Sequence, residues 1–163
     1  MGFGEAIRTC FSKYATFSGR APRSEYWYFM LLGFIASLVA TLIDSAIGVP
    51  IASLLIFLVL LLPSTAVFVR RLHDVDRTTG WALFPVPMLI GIFMLLWLLY
   101  AVGGERFEGV GFPVVVFLVG LVTWIVMLVI LIVLLVWCCK RGTLGPNRYG
   151  PDPLAGMVVA TSA

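Results

Sequence analysis

Charge is what this chain of 163 residues has least of: Asp, Glu, Lys and Arg make up 12%, against 61% hydrophobic residues and a mean hydropathy of +1.09. A single soluble core of this size cannot hide so much apolar surface, which excludes an ordinary globular domain and leaves lipid as the solvent for most side chains. Histidine is scarcer still. His73 stands alone, so metal sites and phosphohydrolases that need several histidines are excluded, and no metal or cofactor is expected. The sequence also lacks a serine nucleophile elbow, a Walker loop and a Cys-x-x-Cys motif. The three cysteines, Cys10, Cys138 and Cys139, are expected as free thiols, because neighbours in sequence make a strained disulfide. Residues 1–25 carry Glu5, Arg8, Lys13 and Arg20 and no continuous apolar run, unlike a cleaved signal peptide. Ala6 stands where a myristoylation signal has Ser or Thr.

What is present is long uncharged sequence. Four stretches, Tyr26 to Ile43, Ser45 to Val69, Thr78 to Gly104 and Gly109 to Cys139, each approach or exceed the roughly 20 residues an α-helix needs to cross about 30 Å of hydrocarbon. In lipid the backbone must satisfy its own polar groups, and runs such as Leu54 to Leu62 are apolar on every side, so helices and not barrel strands are expected. The predicted fold is all-α, a single polytopic membrane domain over residues 1–163. It divides into a cytoplasmic interfacial segment (1–24), spans at 25–47, 49–69, 81–102 and 113–139, a cytoplasmic loop (70–80), an external loop (103–112) and a cytoplasmic tail (140–163).

Orientation follows from the few cations. Ten of the eleven Lys and Arg residues fall in three segments: Arg8, Lys13, Arg20 and Arg23; Arg70, Arg71 and Arg77; Lys140, Arg141 and Arg148. The connections near Asp44 to Pro50 and Gly103 to Gly111 hold only Arg106, so by the positive-inside rule both termini and the middle loop face the cytoplasm. Tyr26, Trp27, Tyr28, Trp81, Trp97, Tyr100 and Trp137 mark the span ends, at the headgroup depth amphipathic rings favour. Although the chain is basic, its cations flank helices. Membrane lipids, preferentially anionic, are therefore the expected partners, and nucleic acid is not. A second copy or another membrane protein stays open as a further partner.

Several local features carry their own expectations. Phe3, Ile7, Cys10, Phe11, Tyr14 and Phe17 recur at helical spacing, predicting an N-terminal interfacial amphipathic helix. Ser24 is the expected N-cap of the first span, with Glu25 in its first turn. Gly33, Ser37 and Thr41 put small residues on one face, as packing within the monomer would use. Pro63 leaves the carbonyl of Val59 without its usual donor, which predicts a kink and a substitute bond from Ser64 or Thr65. Pro85 and Pro87 predict that the third helix becomes regular only at the first proline.

Three polar clusters interrupt this pattern: Phe17-Ser-Gly-Arg20-Ala-Pro-Arg23-Ser-Glu25-Tyr-Trp27, Arg70-Arg71-Leu-His73-Asp74 through Gly80-Trp81, and Gly145-Pro-Asn147-Arg148-Tyr149-Gly150-Pro151-Asp152-Pro153. In this order the chain closely resembles the bacterial membrane family "domain of unknown function 805". The resemblance implies a multi-pass protein of the bacterial inner membrane, with no established activity to carry over. It also implies a shorter connection to the tail than the apolar run Val114 to Cys139 found here.

By the charge rule all three clusters share the cytoplasmic boundary. Their arginines outnumber their carboxylates, which suits a polar pocket for an anionic headgroup or a small phosphorylated ligand. The candidates are Arg20, Arg23, Glu25, Arg70, Arg71, His73, Asp74, Arg77, Asn147, Arg148 and Tyr149. The alternative is that Arg23, Glu25, Arg71 and Asp74 pair among themselves and pin the helices. An enzyme acting on a headgroup would need His73 as acid or base beside Asp74, yet helical neighbours point about 100° apart, so the sequence pair does not itself make a catalytic dyad. A transporter or channel is third, because no ionisable residue lies mid-span.

Overall fold

The computed structural model describes residues 1–83, 89–97 and 111–155. Its elements are α1 (Phe3–Ser12), α2 (Arg23–Ile47), α3 (Ile51–Asp74), α4 (Gly80–Leu83), a helical stretch α5 (89–97) and α6 (Gly111–Cys139). Among the described residues there is no strand, only an isolated antiparallel bridge between Asn147 and Gly150. Among the described residues three helices are long and apolar enough to cross a bilayer: Arg23–Ile47, Ile51–Asp74 and Val116–Cys139. The expectations for Pro85 and Pro87, most of the external loop and the end of the third stretch lie outside the described residues.

The chain forms two compact units, 1–82 with 138–163, and 83–137. The second consists of α5 and nearly all of α6, whose sequence from Val126 to Val136 is continuously apolar. The first holds the three polar clusters and is built on an α2–α3 hairpin. Gly48 ends α2 with φ +81°, a left-handed conformation that glycine adopts without cost, and its N–H donates to the Asp44 carbonyl at 2.7 Å. The Asp44 carboxylate then accepts the N–H groups of Ala52 (2.7 Å) and Ser53 (2.9 Å), which the start of α3 would otherwise leave bare. Asp44 is thus a cap for the next helix.

α1 packs on the other end of α2, where Phe3 meets Tyr28 and Phe11 meets Phe29 edge to face, both with ring centroids 5.7 Å apart. Cys10, Ala21, Phe29 and Val67 form the buried centre. α1 covers Phe3, Ile7, Cys10 and Phe11; Tyr14 and Phe17 lie beyond it.

Two local expectations are corrected. The N-cap of α2 is Pro22 and not Ser24: Pro22 is extended (φ −69°, ψ 162°), and its carbonyl accepts the Tyr26 N–H at 3.3 Å. Ser24 is already inside the helix. α3 remains helical through Pro63, and the Val59 carbonyl takes its substitute donor from neither Ser64 nor Thr65. The Tyr14 hydroxyl supplies it at 2.5 Å, while the Thr65 hydroxyl bonds the carbonyls of Leu61 and Leu62. A residue between α1 and α2 therefore repairs the main chain of α3. Tyr14→Phe removes this bond with little change of shape and leaves the carbonyl without a donor, and should destabilise the detergent-solubilised protein by about 1–3 kcal/mol, read as a lower midpoint of thermal unfolding.

Candidate functional site

The buried part of the cluster is organised around the last turn of α3. The helix ends with Asp76 at φ 58°, a conformation that an Asp tolerates better than most side chains. Two bonds close this end: Arg77 N–H to Leu72 carbonyl at 2.9 Å and Asp76 N–H to His73 carbonyl at 3.1 Å. This is a Schellman termination with Asp in the position usually held by Gly. Helix continues to Asp74, so Arg70, Arg71, His73 and Asp74 are fixed by backbone geometry and all four are buried.

Asp74 is the hub. Its Oδ1 accepts from Arg20 Nε at 2.9 Å, and its Oδ2 accepts from Arg71 Nη1. Its main-chain carbonyl accepts the Thr143 N–H at 2.8 Å and the Thr143 hydroxyl at 3.2 Å. The two arginines spend their other donors on the tail. Arg20 reaches the carbonyls of Gly145 (2.7 Å), Gly150 (3.4 Å) and Thr143 (2.6 Å). Arg71 donates from Nε to the Cys138 carbonyl at 3.1 Å and from Nη2 to that of Lys140. Cys138 lies in the last turn of α6 and Lys140 directly follows the helix, where carbonyls have no helical donor and the helix dipole favours a cation. Arg71 is therefore a helix cap as well as an ion-pair partner.

A second buried pair lies alongside. Arg70 Nη1 meets Glu25 Oε1 at 2.7 Å, both side chains almost fully buried, and the Cys10 thiol donates to the same oxygen at 3.7 Å. Among the described residues, Nε and Nη2 of Arg70 meet no acceptor, so this pair is only half satisfied. Burial, followed by the nearby Glu25 carboxylate, pushes the Cys10 thiol up to about 12.

His73 is spent in a different way. Nδ1 lies 3.2 Å from the Gly19 carbonyl and Nε2 lies 3.0 Å from the Thr79 hydroxyl. The carbonyl can only accept, so Nδ1 carries the proton and Nε2 accepts from Thr79. The ring stacks on Tyr149, with centroids 3.8 Å apart and planes 3° from parallel. Arg148 lies 4.9 Å over the other partner of this stack, the Tyr149 ring, and pairs with Asp76 at 2.9 Å on the surface. Asn147 donates to the His73 carbonyl at 2.9 Å and accepts the Tyr149 N–H at 2.9 Å, which shapes the tail's turn.

The structure thus brings Arg20, Arg71, His73, Asp74, Asn147, Arg148 and Tyr149 into one network, with Arg70 and Glu25 beside it. Arg23 and Arg77 are exposed. Arg23 gives one donor to the Cys139 carbonyl at 3.2 Å and borders a cavity of about 410 Å³ lined also by Ser24, Trp27, Tyr28 and Cys139. Sequence reasoning missed Gly19, Thr79, Thr143 and Gly142. The first three act through a carbonyl or a hydroxyl that any turn would offer. Gly142 acts through absence: a Cβ there would sit 2.1 Å from Asp74 Oδ2.

Because two arginines hold that carboxylate, it cannot swing away from an added methyl group without breaking the hub. Gly142→Ala and Asp74→Asn should both be severely destabilising, on the order of 3–5 kcal/mol, seen as loss of folded protein after detergent extraction. The exposed Cys139 should react with a maleimide in folded protein at neutral pH, whereas buried Cys138 and buried, protonated Cys10 should react only after unfolding. Peptide mapping of the adducts checks this.

Comparison with known proteins gives the site a family context. The model of a family described as "Protein of unknown function (DUF805)" matches residues 14–151. Inner membrane protein YhaI of Escherichia coli strain K12 is 34% identical over 145 residues, covering 88% of this chain and 90% of the relative. Inner membrane protein YhaH of the same strain is 31% identical over 150 residues, covering 86% and 88%. The uncharacterized protein YiiR, also of that strain, is 30% identical over 138 residues, covering 84% and 85%. No solved structure matches.

Proposed function

This chain belongs to the DUF805 family and is a multi-pass inner-membrane protein, and we propose that it is a non-enzymatic lipid-binding component whose buried polar network is a fixed scaffold. In this reading it crosses the membrane four times with both termini in the cytoplasm. α1 lies in the interface, and Arg23 meets the phosphate of an anionic headgroup at the cytoplasmic surface.

The observation that carries the proposal is a division of labour among the arginines. Arg20 and Arg71 are buried and committed to Asp74 and to tail carbonyls, and Arg70 is buried against Glu25. Arg23 is exposed at a cavity that also offers a hydroxyl, Ser24, and two amphipathic rings, Trp27 and Tyr28. A cation, a hydroxyl and aromatic residues suit a phosphate at headgroup depth. For His73, two committed ring nitrogens and a stacked Tyr149 favour a structural role over proton transfer.

Native mass spectrometry of the detergent-purified protein tests the headgroup assignment, using phosphatidylglycerol, phosphatidylcholine and inorganic phosphate as probes. Arg23→Gln should lower the preference for phosphatidylglycerol over phosphatidylcholine about fivefold, the equivalent of roughly 1 kcal/mol for one interfacial cation. An unchanged preference sinks the assignment, and tight binding of inorganic phosphate alone points to a soluble ligand. A membrane-impermeant maleimide tests the orientation. Cys139 should be labelled in inverted vesicles and protected in spheroplasts; the opposite result overturns the cytoplasmic reading.

A further inference from the structure

Beneath α1 runs a second cavity, distinct from the one at Arg23. Its volume is about 370 Å³, and it is lined by Ile7 and Phe11 of α1, Leu32 and Ala36 of α2, and Leu55, Ile56, Val59 and Leu60 of α3. All eight side chains are apolar. The main-chain group most able to spoil that surface is the Val59 carbonyl, which Pro63 deprives of its helical donor. The Tyr14 hydroxyl covers this oxygen. α1 and the residues just after it therefore supply both a roof for the groove and the cap that keeps one wall free of an exposed acceptor.

The position of the groove selects its occupant. At about 1.5 Å per residue, Leu55 lies roughly 22 Å along α3 from Arg70, past the middle of a hydrocarbon layer about 30 Å thick. The groove thus runs from the underside of α1 to the depth occupied by lipid methylenes. Its wholly apolar walls, with the Val59 carbonyl already capped, offer no hydrogen-bond partner and suit a narrow, flexible hydrocarbon. On the outer side of α1, Arg8 and Lys13 are exposed and would face the phosphate of a lipid whose chain passes below.

We infer that the α1–α2–α3 groove holds one acyl chain of a membrane phospholipid, with α1 as its cover. This site is separate from the headgroup contact proposed for Arg23, and the two fail separately. The test uses phosphatidylglycerol and phosphatidylcholine, each carrying a diazirine within one acyl chain, in vesicles of phosphatidylethanolamine and phosphatidylglycerol that contain the full-length protein. After irradiation, adducts should concentrate on the α1 segment Ile7 to Phe11 and the α3 segment Leu55 to Leu60. Ala36→Phe, which fills the groove, should lower their yield about tenfold. Leu38→Phe, on an exposed face of α2, should leave the yield unchanged. If Ala36→Phe does not fold, the smaller Ala36→Leu is read in its place. Adducts spread evenly over exposed positions such as Phe34, Leu42 and Leu131 in the wild-type protein overturn the inference without any variant. Unchanged adducts in a folded groove-filling variant do the same.

Discussion

One carboxylate, that of Asp74, decides whether the rest of this architecture is affordable. Burying a guanidinium costs several kcal/mol, and pairing it with a single carboxylate often does no better than break even. Here two arginines share one carboxylate, and their remaining donors meet main-chain carbonyls of Cys138, Lys140, Thr143, Gly145 and Gly150. Those carbonyls need donors as much as the arginines need acceptors, because they belong to a helix end and an irregular tail that have few of their own. The network satisfies both sides together. The Arg70–Glu25 pair beside it shows the contrast, with one good contact and two donors that meet nothing among the described residues.

The same accounting extends into the apolar part of the hairpin. Each departure from regular helix has a local answer: Asp44 for the start of α3, Tyr14 for the carbonyl freed by Pro63, and back-bonding of Ser37, Thr41 and Thr65 hydroxyls to their own helices. A medium without hydrogen-bonding groups makes such repairs obligatory. Ser37 and Thr41, with Gly33, border a second intramembrane groove shared with Ser53 and Ser64 of α3, so the small-residue face of α2 runs beside its own neighbour.

Helical class and the membrane were legible in the sequence, because long uncharged runs have few other physical outcomes. The three motifs were legible as a group for the same kind of reason: charge that survives in so apolar a chain has a purpose. Their wiring was not. Asp74 meets Arg71, three residues back, because α3 stays helical beyond Val69, where the run of apolar residues gave no reason to extend it, and no spacing links Asp74 to Arg20. Ser24 looked like a cap by residue type, but Pro22 already had the extended backbone a helix entrance requires. Tyr14 and Val59 are 45 residues apart, and no periodicity links them. Gly142 matters for an atom it does not have, which no side-chain rule reveals.

Apart from the Asp74 carboxylate, the acceptors for Arg20 and Arg71 come from residues 138–150, which leave the ribosome well after Asp74. Until they arrive, the Asp74 end of the α2–α3 hairpin holds more guanidinium donors than acceptors. Completion of the tail therefore finishes one arginine after the other: a chain cut short before Thr143 leaves Arg20 without its three tail carbonyls, while Arg71 keeps those of Cys138 and Lys140.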